Sequence, residues 1–127
     1  MKNKLVNLLI RMLQWQRRLF YEFLSTGHTK GAAQKNQPTL ILGNGIVEFG
    51  TNVKLGFFPS PLYLSGYIHI EARGEGSFIK FDENTSINNN FVAVTEHTSI
   101  TIGKRCFFGA NGEIYDSDFH GIKIQDR

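Results

Sequence analysis

Large apolar residues return every sixth position in three separate blocks of this chain, and that period constrains the fold more than any other feature. The blocks are FGTNVKLG (Phe49 to Gly56), FDENTSIN (Phe81 to Asn88) and IGKRCFFG (Ile102 to Gly109). In each, a large apolar residue is followed by Gly or Asp and a polar pair. A small or β-branched residue comes next (Val53, Thr85, Cys106), and after six steps another large apolar residue. The apolar positions are Phe49 and Leu55; Phe81, Ile87 and Ala93; Ile102, Phe108 and Ile114. A six-residue period fits neither the alternation of a flat strand nor the 3.6-residue turn of a helix. It fits a solenoid whose short flat faces each turn one large and one small side chain inward, with Gly, Asn and Asp at corners of positive φ. Three faces make a coil, and stacked coils bury a continuous core. From Phe81 to Ile102 is 21 residues where a coil of three hexapeptides takes 18, so a short bulge is expected there. The period is lost in PLYLSGYIHIEARGEGSF, which is expected to hold an irregular coil or loop.

The rest of the chain divides into two further zones. Residues 1–25 read as an amphipathic helix, with Leu5, Leu8, Leu9, Met12, Leu13, Trp15, Leu19, Phe20, Phe23 and Leu24 set among Lys4, Asn7, Arg11, Gln14 and Arg18 at steps of three and four. Residues 26–38 (TGHTKGAAQKNQP) are small and polar and are expected to form a linker, which leaves residues 39–127 as the β domain. The helix is no membrane span, because Arg11 ends its longest early apolar run, Leu8-Leu9-Ile10. A signal peptide's apolar segment of roughly 7–15 residues is missing for the same reason. Its apolar side is expected to pack on the rest of the protein or on a neighbouring subunit, or else to lie on an anionic membrane surface.

Charge sharpens that choice of partners. Seven of the 14 Lys and Arg fall in the first 35 residues, where Glu22 is the only carboxylate. A net charge of +3 concentrated at one end points to an acidic surface for the N-terminus rather than to a nucleic-acid-binding protein. The single cysteine, Cys106, excludes an internal disulfide framework and is compatible with a reducing compartment. At the small inward position of its hexapeptide it reads as a buried structural thiol.

The segment ITIGKRCFFGANGEIYDSDFHGI (Ile100 to Ile122) adds a chemical signal to the repeat. Regular hexapeptides followed by a loop of the form x-I-Y-D-x-D-x-H resemble the hexapeptide-repeat O-acetyltransferases. Galactoside and maltose acetyltransferases belong to that family, and the likeness is closer to members that decorate bacterial surface polysaccharides. The resemblance covers about Phe49 to Arg127. It implies a mainly β fold, a left-handed parallel β-helix, assembled as a homotrimer with active sites between neighbouring subunits. It further implies acetyl-CoA as acyl donor, a hydroxyl of a sugar or surface polysaccharide precursor as acceptor, and a cytoplasmic location, with the inner face of the membrane a candidate station.

His120 is then the catalytic general base. An alcohol is a poor nucleophile at neutral pH and needs a base of pKa near 7, which imidazole supplies. Asp116 and Asp118 are candidates for fixing its tautomer or contacting the acceptor, against their ordinary use as turn formers. Asn90 sits near where the sugar acetyltransferases place an acceptor-binding asparagine, and it also suits a corner. No metal is expected: His69, His97 and His120 are separated by 28 and 23 residues, without the close pair a zinc site of this fold uses. ARGEGS (Ala72 to Ser77) lacks a P-loop ending and reads as a turn. Family members continue for several coils past the histidine loop, and those coils build most of the CoA channel. A chain that stops seven residues after His120 is therefore expected to be C-terminally incomplete. The alternative reading is a non-catalytic β-helix remnant that serves as an oligomerisation or membrane-surface module.

Overall fold

A computed structural model describes residues 1–117. One helix, α1 (Lys2–Leu24), precedes four stacked coils of three short strands each. The first coil holds β1 (His28–Lys30), β2 (Gln34–Lys35) and β3 (Thr39–Leu42); the second holds β4 (Ile46–Phe49), β5 (Lys54–Leu55) and β6 (Ile68–Ala72). The third holds β7 (Phe78–Phe81), β8 (Ser86–Ile87) and β9 (Val92–Thr95), and the fourth β10 (Ser99–Ile102), β11 (Phe107–Phe108) and β12 (Glu113–Tyr115). Equivalent strands pair in parallel, giving three four-stranded sheets: β1-β4-β7-β10, β2-β5-β8-β11 and β3-β6-β9-β12. The molecule is thus a mainly β parallel solenoid with an N-terminal helix.

The register follows the apolar period. Phe49 pairs with Phe81 and Phe81 with Ile102; Leu55 pairs with Ile87 and Ile87 with Phe108; Ala93 pairs with Ile114. Inward side chains of successive coils therefore lie over one another, and Val47, Leu55, Ile70, Ile79, Phe81, Ile87 and Phe91 are completely buried. The Phe49 and Phe81 rings stack at 5.5 Å. The small inward position holds Val53 and Thr85, both buried, and the Thr85 hydroxyl donates to the Gly103 carbonyl at 2.7 Å.

Three expectations change. Residues 26–38 are not a linker, because β1 and β2 pair with β4 and β5 and begin the stack. Their small, polar side chains disguise them: β1 is exposed along its length, and the inward apolar residue of this segment is no larger than Ala33, while the coil's large core residue, Ile41, comes only with β3. This first coil has the ideal length, 18 residues from His28 to its partner Ile46. Later, Phe78 to Ser99 and Ser86 to Phe107 both take 21. That excess is no single bulge. Two residues widen the corner between the first and second faces, and one widens the corner at His97. The first corner repeats, with Asn52, Asn84 and Arg105 all at positive φ (54–59°), and Asn52 donates to Asn84 at 2.9 Å. Of the stretch where the period is lost, residues 61–67 belong to an inserted loop, 56–67, and Ile68–Ala72 is a regular strand.

The third change concerns α1, whose polar side packs on the solenoid. Its only buried residue is Gln14, which donates to the Tyr63 carbonyl at 3.0 Å. Arg17 donates to the Gly66 carbonyl at 2.7 Å and Arg18 to that of Lys35 at 3.2 Å. Ser25 ends the helix and stitches it to β3, accepting from Ile41 N at 3.0 Å. Leu5, Leu8, Leu9, Met12, Leu13, Trp15, Leu19, Phe20, Phe23 and Leu24 are all exposed. Among the described residues no helix is long and apolar enough to cross a membrane.

Candidate functional site

β12 is the last strand of the third sheet among the described residues, and Asp116 follows it. Its main-chain N–H bonds back to Val94 O at 3.3 Å, and its carboxylate turns onto the corner that follows β9. There it accepts from the Thr95 hydroxyl and from the Glu96 N–H, at 2.9 and 3.0 Å to its two oxygens. Burial acts to raise the Asp116 pKa, but the hydrogen bonds from Thr95 and from the backbone of Glu96, Thr98 and His97 outweigh it and hold the carboxyl below its ordinary value. An anion surrounded by donors in this way is an anchor. It fixes the end of β12 to the corner after β9, four residues before His120 in the sequence. His120 and Asp118 themselves lie outside the described residues.

Asn90 occupies a corner at φ 58°, and Asn111 one coil later repeats it at 63°. Its carboxamide donates to Asn111 Oδ1 at 2.6 Å and its main-chain N–H to Gln37 Oε1 at 2.9 Å. A short polar side chain tolerates this left-handed backbone, and the amide ladder holds neighbouring coils in step.

A second polar group stands on the outer face of the same sheet. On β6, His69 Nε2 lies 3.0 Å from Glu71 Oε2, and Arg73 Nε donates to Glu71 Oε1 at 2.9 Å. Burial raises the Glu71 pKa, yet the hydrogen bonds and charges of His69 and Arg73 overcome it and the carboxyl sits below its ordinary value. The period-2 spacing of His69, Glu71 and Arg73 puts them on one face of a strand, a signal the repeat analysis passed over because it lies in the stretch where the period is lost. The register places His69 beside Val92 and Glu71 beside Val94 of β9, which in turn pair with Glu113 and Tyr115 of β12. Both Glu71 oxygens are engaged, so the group is an ordered ionic patch.

The remaining candidates fall as follows. ARGEGS is the corner between β6 and β7, closed by Ser77, whose hydroxyl donates to Glu96 O at 2.9 Å. Cys106 is half-buried and packs against the core in the fourth coil. Among the described residues no three His, Cys, Asp or Glu side chains converge as a metal site would require. No family model, curated protein or solved structure matches this chain.

Proposed function

We propose that this chain is the acceptor-side part of an acetyl-CoA-dependent O-acetyltransferase acting on a sugar or polysaccharide hydroxyl, built on a left-handed β-helix that assembles as a trimer. The observation that carries the reading is where the I-Y-D-x-D-x-H segment begins. Its Ile114 and Tyr115 end β12 on the fourth coil of a three-faced parallel solenoid, and Asp116, the next residue, is pinned to the third coil. In this reading His120 Nε2 or Nδ1 accepts the acceptor's hydroxyl proton as the oxygen attacks the thioester carbonyl. The C–S bond then breaks, the acetyl ester remains on the acceptor, and the proton passes to the departing CoA thiolate. Holding both substrates together makes a covalent enzyme intermediate unnecessary. Asp116 serves as a positioning residue, while Asn90 stands in the coil corner before β9, at the other end of that strand from the Thr95 and Glu96 contacts of Asp116.

The test is acceptor-dependent thiol release from acetyl-CoA by the protein purified from its source cells, over a panel of hexoses and hexose polymers. His120→Ala is expected to abolish release while acetyl-CoA binding, followed by calorimetry, persists. Unchanged release in that variant, or none from the unmodified protein with any acceptor, overturns the proposal.

A further inference from the structure

We infer that α1 docks the protein on an anionic lipid surface, lying along it with its apolar face down. The inference is independent of the acyl-transfer reading.

The polar side of the helix is already used. Gln14, Arg17, Arg18 and Ser25 hold it to loop 56–67, to β3 and to Lys35. At 100° per residue the opposite stripe is Leu5, Leu9, Met12, Gln16, Leu19 and Phe23. Phe23 is 85% exposed and Met12 53%.

Charge decides the occupant. Lys2, Lys4 and Arg11 border the stripe, and no carboxylate precedes Glu22, which is itself paired with Lys35 at 2.7 Å. A groove of about 370 Å³ runs along one flank between Leu8, Arg11, Met12, Trp15 and Arg18. It sets two guanidinium groups beside an indole, the arrangement that takes a phosphate headgroup while the ring sits at the boundary between headgroups and acyl chains. A second copy of the same face would bring the same cations together, with only Glu22, already paired with Lys35, to offset them. The helix has the composition of one that lies on a bilayer rather than spans it: a basic polar side and a Trp- and Phe-bearing apolar side.

Trp15 is the only tryptophan in the chain and lies in that groove, so it reports contact directly. The full chain is mixed with vesicles of phosphatidylcholine alone, or with roughly a third phosphatidylglycerol, and followed by sedimentation and Trp15 emission. Expected are co-sedimentation and a blue shift with the anionic vesicles, weakened by salt. With about a factor of five per cation near the surface, Lys2, Lys4 and Arg11 together favour the anionic vesicles on the order of a hundredfold. Met12→Gln with Phe23→Gln should abolish sedimentation, and Lys4→Gln with Arg11→Gln should cut the anionic preference by about twenty-five-fold. All four side chains are exposed, so circular dichroism should stay unchanged. Equal binding to both vesicle types, or no sedimentation with either, overturns the inference. So does a blue shift that needs only higher protein concentration and tracks dimer formation in the ultracentrifuge, because the face would then be covered by a second copy.

Discussion

Asn89 holds more of this molecule together than its place in the Asn88-Asn89-Asn90 run suggests. Its side chain is completely buried. Its Nδ2 group faces the carbonyls of Phe57, Ser60 and Pro61 at 2.8, 3.1 and 3.0 Å, and its Oδ1 accepts from Phe57 N at 2.9 Å. One amide therefore folds the start of loop 56–67 onto the third coil, while Gln37 does the same for Leu62 and Tyr63. Asn89→Ala leaves the Phe57 N–H and carbonyl without these partners, whereas the carbonyl of exposed Pro61 can turn to water and that of half-buried Ser60 in part. Two half-buried groups at about 1–3 kcal/mol each, partly relaxed, give a loss of about 3 kcal/mol. Asn89→Asp should be worse at neutral pH. It keeps the acceptor for Phe57 N but replaces a donor by an anion facing three carbonyl oxygens, a penalty that protonation in acid removes. Urea unfolding followed by circular dichroism measures both variants. Because Tyr63 and Gly66 in the same loop accept from Gln14 and Arg17, hydrogen exchange in the second half of α1 should quicken in Asn89→Ala before exchange in β7 changes. A loss under about 0.5 kcal/mol for Ala, the range of ordinary surface substitutions, or an Asp variant as stable as the parent at neutral pH, would refute this account.

Asp116→Asn keeps one acceptor oxygen and removes the charge, and is expected to lose about 1–2 kcal/mol. Since the folded carboxyl titrates below its ordinary value, its contribution is fully present above that value and disappears as the pH falls through the lowered one. Melting curves of parent and variant should therefore converge on acidification below about pH 4, and a gap that stays constant there contradicts the anchor. Gly50, Asp82 and Gly103 hold the same position in successive coils, yet an added methyl meets very different surroundings. At Gly50 it falls 2.7 Å from Glu83 N and 3.0 Å from Asp82 C, both backbone, while at Gly103 no described atom lies within 4 Å. Gly50→Ala should then destabilise by about 1–3 kcal/mol and Gly103→Ala by almost nothing, and equal midpoints in thermal melts would show the stacking to be looser than this.

The core was legible because each coil repeats one chemical demand. An inward position admits only an apolar or small side chain, so Phe49, Phe81 and Ile102 align in the sequence as they do in space. The same logic explains what was hidden. Residues 26–38 meet the demand with Ala33 and with Gln37, a buried amide whose partners are the loop carbonyls and Asn90 N rather than apolar neighbours. Nothing in TGHTKGAAQKNQP carries the apolar signature, and the segment reads as a linker although its backbone is paired strand by strand. The candidate site was legible to a different degree. A corner residue and an acceptor ligand are both asparagine, so Asn90 could not be sorted by type; its φ and its bond to Asn111 place it in the corner ladder. Asp116 likewise could turn outward or back, and the donors of residues 95–98, twenty positions upstream, turn it back.

The helix shows why amphipathicity divides a surface without saying which side is covered. Its pattern separates apolar from polar faces, and burial of the apolar face is the usual outcome because that removes the most hydrocarbon from water. Here the neighbouring surface decides otherwise. Loop 56–67 turns the carbonyls of Tyr63 and Gly66 towards α1, and the end of β2 offers that of Lys35. Those acceptors require donors, which Gln14, Arg17 and Arg18 supply and leucines could not. Since these three lie on one side of a 23-residue helix, satisfying them turns the hydrophobic stripe outward. The apolar face is therefore left for something outside the fold, and the cations at its border restrict what that can be.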